Sequence, residues 1–213
     1  MALPAATAAS IAPAGLPLTV LRQRRVGVLA LQGAVREHMD ALREIGAEPV
    51  AVRLPADLEG LDALILPGGE STTMRSLIDE YGLREPIRRL AAGGAALLGT
   101  CAGMILLANR IEEGDAPVLG LLDVTVRRNA YGGQLESHEA EVAFPALGDE
   151  PLHGVFIRAP VVSQTGPGVE VLARDEHGNA IAVRQGRVLA TAFHPELTPD
   201  RRLHRLLLAA LEA

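Results

Sequence analysis

The chain has 213 residues, 48% of them apolar, a formal net charge of −6 and an aromatic content of 2%. That is enough apolar material to bury a full core. It lacks the basic face and stacking aromatics of a nucleic-acid binder, and no run reaches the roughly 18 apolar residues of a membrane span. The single cysteine, Cys101, excludes an internal disulfide, argues against a thiolate zinc site and fits a reducing cytoplasm. All basic residues are Arg. A lysine Schiff base and a P-loop lysine are therefore excluded.

Residues 1–24 are rich in Ala and Pro and end in Arg22-Gln23-Arg24-Arg25. Positive charge after the apolar stretch is the wrong order for a secretory signal. The expectation is a flexible N-terminal extension followed by a single domain over 25–213. Val26–Leu31 reads as a buried strand. Ala34–Ile45 reads as a helix with Val35, Met39, Leu42 and Ile45 on one face, stopped by Gly46. Strands follow at 49–52 and 63–66. Pro67-Gly68-Gly69 is a turn, with Ser71 or Thr72 as the expected cap of a helix at 74–81. A further helix covers 85–92, and Ala95–Leu98 is the next buried strand.

This alternation of apolar strands and helices predicts an α/β fold with a mainly parallel sheet and helices on both faces. After Leu122 the pattern changes to short strands at 124–127, 139–143, 154–157, 169–173, 180–184 and 187–192. Gln185-Gly186 makes a hairpin of the last two. An amphipathic helix closes the chain at 200–212.

The centre of the chain is Gly99-Thr100-Cys101-Ala102-Gly103. A strand delivers Cys101, and Met104–Asn109 reads as the start of a helix. Glycines two residues to either side leave room for a strained nucleophile turn, with Cys in the place of Ser. The following helix aims free N–H groups at the sulfur. A structural buried cysteine is the alternative. The spacing of the glycines favours the nucleophile.

A cysteine nucleophile needs a base, and the base needs an orienting acceptor. His38, His153, His177 and His204 read as surface or packing residues. His194 differs, because it follows the apolar run 188–193 and precedes Pro195-Glu196. Proline restricts the backbone on both sides, so one turn can aim the imidazole and the carboxylate into one site. Acyl attack also needs N–H donors for the developing oxyanion. Ala102 supplies one by elbow geometry, and Gly69 is the expected second.

With these motifs assembled, the chain resembles the class I, triad-type glutamine amidotransferases. More narrowly, it resembles the glutaminase subunits of pyridoxal 5'-phosphate synthases. The narrower match rests on Leu31–His38, Pro67–Met74, Arg128-Asn129 and Val155–Pro160. The resemblance implies a three-layer, flavodoxin-like α/β fold. It implies a catalytic triad of Cys101, His194 and Glu196, and glutamine-binding positions at Gly69, Glu70, Ser71, Arg128, Ile157 and Arg158. It also implies L-glutamine as substrate and a synthase subunit in a large hetero-oligomer as partner. No cofactor, metal, nucleic acid or membrane is implied, and the expected compartment is the cytoplasm. Family members often carry Arg where this chain has Gly133, to which no role is assigned. The alternatives are a glutaminase of the histidine or anthranilate pathway, a cysteine peptidase or redox protein on a similar fold, and a non-catalytic module.

Overall fold

The computed structural model describes residues 23–130 and 137–212. In chain order, β1 is Arg25–Leu29, α1 Val35–Glu44, β2 Glu48–Val52, β3 Ala63–Leu66, α2 Ser71–Glu80 and α3 Arg84–Ala92. Next come β4 Ala96–Thr100, α4 Ala102–Leu107, β5 Ala108–Ile111, β6 Leu122–Arg127, β7 Ser137–Val142 and β8 Leu152–Ile157. Last are β9 Val161–Thr165, β10 Glu170–Arg174, β11 Ala180–Gln185, β12 Val188–Thr191 and α5 Arg202–Ala209. Residues 1–22, most of the predicted extension, lie outside the described residues, as does Gly133.

The large sheet runs β2-β1-β3-β4-β12-β11-β9-β6-β5, with β10 added to β11. From β2 to β12 every pairing is parallel. Strands β3 and β4 are buried along their whole length, as a sheet covered on both faces requires. Beyond β12 the pairings through β11, β9 and β6 are antiparallel, and β5 returns parallel to β6. The expected hairpin between β11 and β12 is present, with Gly186 at φ 56° in its turn. A separate antiparallel ribbon pairs β7 with β8.

Alternation of side chains along β4 fixes the layers. Gly99 faces α4, where an added Cβ would come within 2.6 Å of the Gly103 carbonyl carbon. The next residue, Thr100, faces the opposite way and meets His38 of α1. His38 in turn meets His204 of α5. So α4 and α2, which pack together, cover one face, and α1 and α5 cover the other. This is the expected three-layer arrangement. Among the described residues no helix is long and apolar enough to cross a membrane.

Three expectations need correction. The helix after Cys101 stops at Leu107 and the chain continues directly as β5. The run Met104–Leu107 is buried on all sides, and such a run has no periodicity to separate helix from strand. Strand β9 was not expected, because Ser163, Gln164 and Thr165 are exposed and polar. The strand before His194, expected over 187–192, covers only Val188–Thr191, and Pro195 opens a 3-10 turn over Pro195–Leu197.

The tightest backbone approach lies between α4 and β3. A Cβ on Gly103 would run into the Leu66 carbonyl, and neither element can move without disturbing β4. Gly103→Ala is therefore expected to destabilise the fold by about 3 kcal/mol through overpacking. Urea unfolding at an unchanged m-value measures this, and a loss below about 0.5 kcal/mol would contradict the close-approach argument.

Candidate active site

Cys101 sits between β4 and α4 at φ 49°, ψ −107°. This is a strained backbone for a residue with a Cβ. Its N–H donates to the Thr191 carbonyl at 2.8 Å, continuing the parallel register that sets Thr191 beside Thr100. Three residues beyond Thr191 comes His194. The His194 N–H donates to the Val155 carbonyl at 2.9 Å. Cys101 Sγ donates to the Ile157 carbonyl at 3.6 Å. Both carbonyls belong to β8 and point the same way, because they are two residues apart on one strand. The ribbon thus braces the Cys101 sulfur and the His194 imidazole together.

The 3-10 turn then carries Glu196 back against the ring. His194 Nδ1 lies 2.7 Å from Glu196 Oε1, and Cys101 is near enough to the His194 ring to act on its pKa. An added Cβ on Gly68 would collide with the His194 ring, so the Pro67-Gly68-Gly69 turn closes over the imidazole because it lacks side chains there.

Burial alone would lower the pKa of His194. The hydrogen bonds to Cys101 and Glu196 outweigh it and raise the value to about 10. Burial would raise the Glu196 carboxyl. The facing His38 and the hydrogen bond from His194 hold it below the usual range instead. Each group supports the charged form of the other, so the pair is an imidazolium and a carboxylate at neutral pH.

A cleft of about 630 Å³ opens over the cysteine. Gly69, Glu70, Ser71, Arg128, Ile157 and Arg158, all expected at a site, line it. So do Cys101, Ala102 and His194. Glu196 stands behind His194 and is only 4% exposed. The non-glycine residues with positive φ among the described residues are Cys101, Asn129 at 46° and Arg158 at 44°. All three line the cleft. Backbone strain therefore collects at the site.

Two side chains in the cleft are already committed. The cap of α2 is Glu70, not Ser71 or Thr72. Its carboxylate accepts from Thr72 N at 2.9 Å and from Thr73 N and Oγ1 at 2.7 Å each. Only a carboxylate can take three donors at once. Those bonds, the Thr73 hydroxyl first, lower its pKa to about 2. Arg128 is held by ion pairs to Glu113 and Asp115.

The sequence reading missed Gln32, whose Oε1 accepts the Glu70 N–H at 3.2 Å and which also lines the cleft. It also passed over His38 and His204 as surface or packing residues. Both are fully buried, and His38 touches Glu196. The spacing Gln32…His38 lies within one expected turn-and-helix motif. Nothing in that spacing points to Glu196. By contrast, His153 and His177 are exposed, as expected.

The chain matches the SNO glutamine amidotransferase family over residues 28–213. The chain belongs to this family. The pyridoxal 5'-phosphate synthase subunit PdxT of Chloroflexus aggregans is 55% identical over 186 residues, covering 86% of this chain and 98% of that protein. The PdxT of Mycolicibacterium vanbaalenii is 56% identical over 192 residues, covering 88% and 97%. A crystal structure of a glutamine amidotransferase superposes with a TM-score of 0.83 at 52% identity, covering 88% of this chain and 99% of that one. PurLQS from Thermotoga maritima, at 20% identity and a TM-score of 0.65 over 89% of this chain and 99% of that one, shares the fold.

The SNO-family site carries a pH signature. Burial first, then the neighbouring His38, lowers the His204 pKa to about 3, and burial lowers that of His38. A histidine whose folded pKa is depressed stabilises the fold fully above its unfolded value, near 6.5, and loses that stability as pH falls. His194 has the opposite sign. Its contribution is present below 6.5 and lost as pH rises toward 10. Stability should therefore fall by about 2 kcal/mol for His204 alone between pH 6.5 and 4.5. Urea unfolding at the two pH values, on the native chain and on His204→Leu, tests this. The variant should show the shallower pH dependence.

Proposed function

We propose that this chain hydrolyses L-glutamine to L-glutamate and ammonia with a Cys101–His194–Glu196 triad. We further propose that it passes the ammonia to a synthase subunit that makes pyridoxal 5'-phosphate. The observation that carries the reading is that Cys101 and His194 line one open cleft, with Glu196 hydrogen-bonded to the back of the His194 ring. The matching relatives are PdxT subunits of pyridoxal 5'-phosphate synthase.

Glutamine enters with its side-chain amide over Cys101. Gly69, Glu70, Ser71, Arg128, Ile157 and Arg158 form its binding surface. The Cys101 thiolate attacks the amide carbon while His194 stays protonated. The oxygen that gains negative charge lies toward the N–H groups of Ala102 and Gly69. Ala102 is the first residue of α4, so its N–H has no acceptor within the helix and is free for this use. His194 then gives its proton to the leaving nitrogen, and ammonia departs. Water, activated by His194, hydrolyses the glutamyl thioester. Glu196 keeps Nδ1 protonated and Nε2 directed at sulfur throughout.

Free ammonia is protonated in neutral water and loses its nucleophilicity, so a docked acceptor subunit is part of the reading. The synthase is the partner, within a hetero-oligomer, and the compartment is the cytoplasm. The absence of lysine leaves any lysine chemistry of the assembly to that partner.

Glutamate release should be measured with and without the synthase subunit. The isolated chain should be nearly silent and become active on docking, and full activity alone would count against a docking-dependent glutaminase. Within the complex, Cys101→Ala should abolish glutamate release while the fold stays intact. Retention of more than a few per cent would overturn the nucleophile assignment. Glu196→Gln should lower kcat by about 100-fold or more, since the imidazole loses its orienting anion.

A further inference from the structure

Behind the triad lies a buried histidine pair that the mechanism does not use. His38 and His204 are 0% exposed. His38 Nδ1 lies 3.0 Å from His204 Nε2. His38 Nε2 lies 3.3 Å from Glu196 Oε2 and 3.2 Å from Thr100 Oγ1. Glu196 Oε1 is taken by His194. Oε2 and His204 Nδ1 are buried with no well-aligned hydrogen-bond partner among the described residues.

Proton counting and the Glu196 charge together favour one arrangement. A neutral imidazole carries one N–H and one bare nitrogen. If His38 carried its proton on Nδ1, it would donate to His204 Nε2. Its bare Nε2 could accept from the Thr100 hydroxyl but would face the Glu196 anion, and His204 Nδ1–H would be a buried donor with nothing to receive it. Both are penalised in a dry interior. With the proton on His38 Nε2, the N–H meets Thr100 Oγ1 at 3.2 Å with the Glu196 Oε2 anion beside it at 3.3 Å, and Nδ1 accepts from His204 Nε2–H. The unpartnered His204 Nδ1 is then only a bare lone pair. The charged groups that act on His38 are Glu196, His194, Glu37 on its own helix and Arg201 ahead of α5. Burial is the strongest influence and keeps the ring neutral.

We propose that His38 is a positioning residue for the triad: a neutral, Nε2-protonated imidazole that holds Glu196 Oε2, with its tautomer set by His204. The consequence is mechanical as well as electrostatic. A carboxylate held at one oxygen by His194 alone can swing about that contact. Held at both, it keeps Oε1 on Nδ1 while His194 gives up and regains a proton. The Thr100 hydroxyl against the same His38 nitrogen ties this support to the residue before the nucleophile.

The proposal rests on the triad reading above, and the test separates the two. In 15N-labelled native chain, long-range 1H–15N spectra of the histidine rings should show His38 neutral and protonated at Nε2 near pH 7. This readout needs no substrate and stands whether or not Cys101 is the nucleophile. An Nδ1-protonated or cationic His38 would overturn the proposal. In the complex with synthase, His38→Leu should lower kcat for glutamate release at least tenfold and leave KM for glutamine within about twofold. His38→Gln, whose terminal N–H₂ reaches the place of Nε2, should recover activity to within about threefold of native. A His38→Leu chain with native kcat, or a His38→Gln chain no better than His38→Leu, would also overturn it. Should His38→Leu fail to fold, the native-chain spectrum and the His38→Gln rate decide.

Discussion

The site depends on one backbone hydrogen bond, from Cys101 N–H to the Thr191 carbonyl at 2.8 Å. It is the last rung of the parallel ladder between β4 and β12. Everything that surrounds the sulfur is placed by it. Strand β12 runs parallel to β4 only because the hairpin at Gln185-Gly186 reverses the chain after β11. A slip of one residue in this ladder would turn every side chain of β12 to the opposite face. It would also carry His194 away from the sulfur. The meeting of Cys101 and His194, distant in sequence, is thus a question of strand register, which buried apolar faces specify strongly.

The register would not suffice if the elbow relaxed. Cys101, Asn129 and Arg158 all hold left-handed backbone around the cleft, at a typical cost of about 1–3 kcal/mol each. That strain persists because the surroundings leave no alternative. Gly103 lies against the Leu66 carbonyl and Gly99 against Gly103, while Thr191 and Ile157 hold the two sides of Cys101. The leucines, alanines and isoleucine of β3 and β4 make this part of the sheet the most completely buried. The rigid core and the strained turn are one construction.

The parts of this molecule legible in sequence were those whose signal is local. Buried apolar runs announced β1, β3 and β4. Glycine spacing announced the Cys101 elbow, and Pro195 announced a fixed turn bearing His194 and Glu196. What escaped had its cause elsewhere in the chain. The length of α4 is set by where β6 receives β5, not by Met104–Leu107 themselves. Strand β9, with three exposed polar residues, exists because β6 and β11 flank it. Glu70 caps α2 because its two oxygens satisfy three donors, more than the lone pairs of a single hydroxyl oxygen can take. His38 and His204 gave no pattern at all, since a lone histidine on a helix face becomes meaningful only when a second helix and a carboxylate close around it.

The two faces of β4 carry different kinds of order, and Cys101 stands where they meet. On one face Gly99 and α4 are packed so closely that there is no room for a side chain. This fixes where the first N–H of α4 lies. On the other face Thr100, His38 and His204 form a buried polar layer behind Glu196. Such a layer is stable only when its protons are arranged one way, and that arrangement fixes the direction in which the carboxylate pulls on His194. Position is therefore set by steric exclusion on one side of the strand and by proton order on the other. Neither alone would hold a sulfur, an imidazole and a carboxylate in one line.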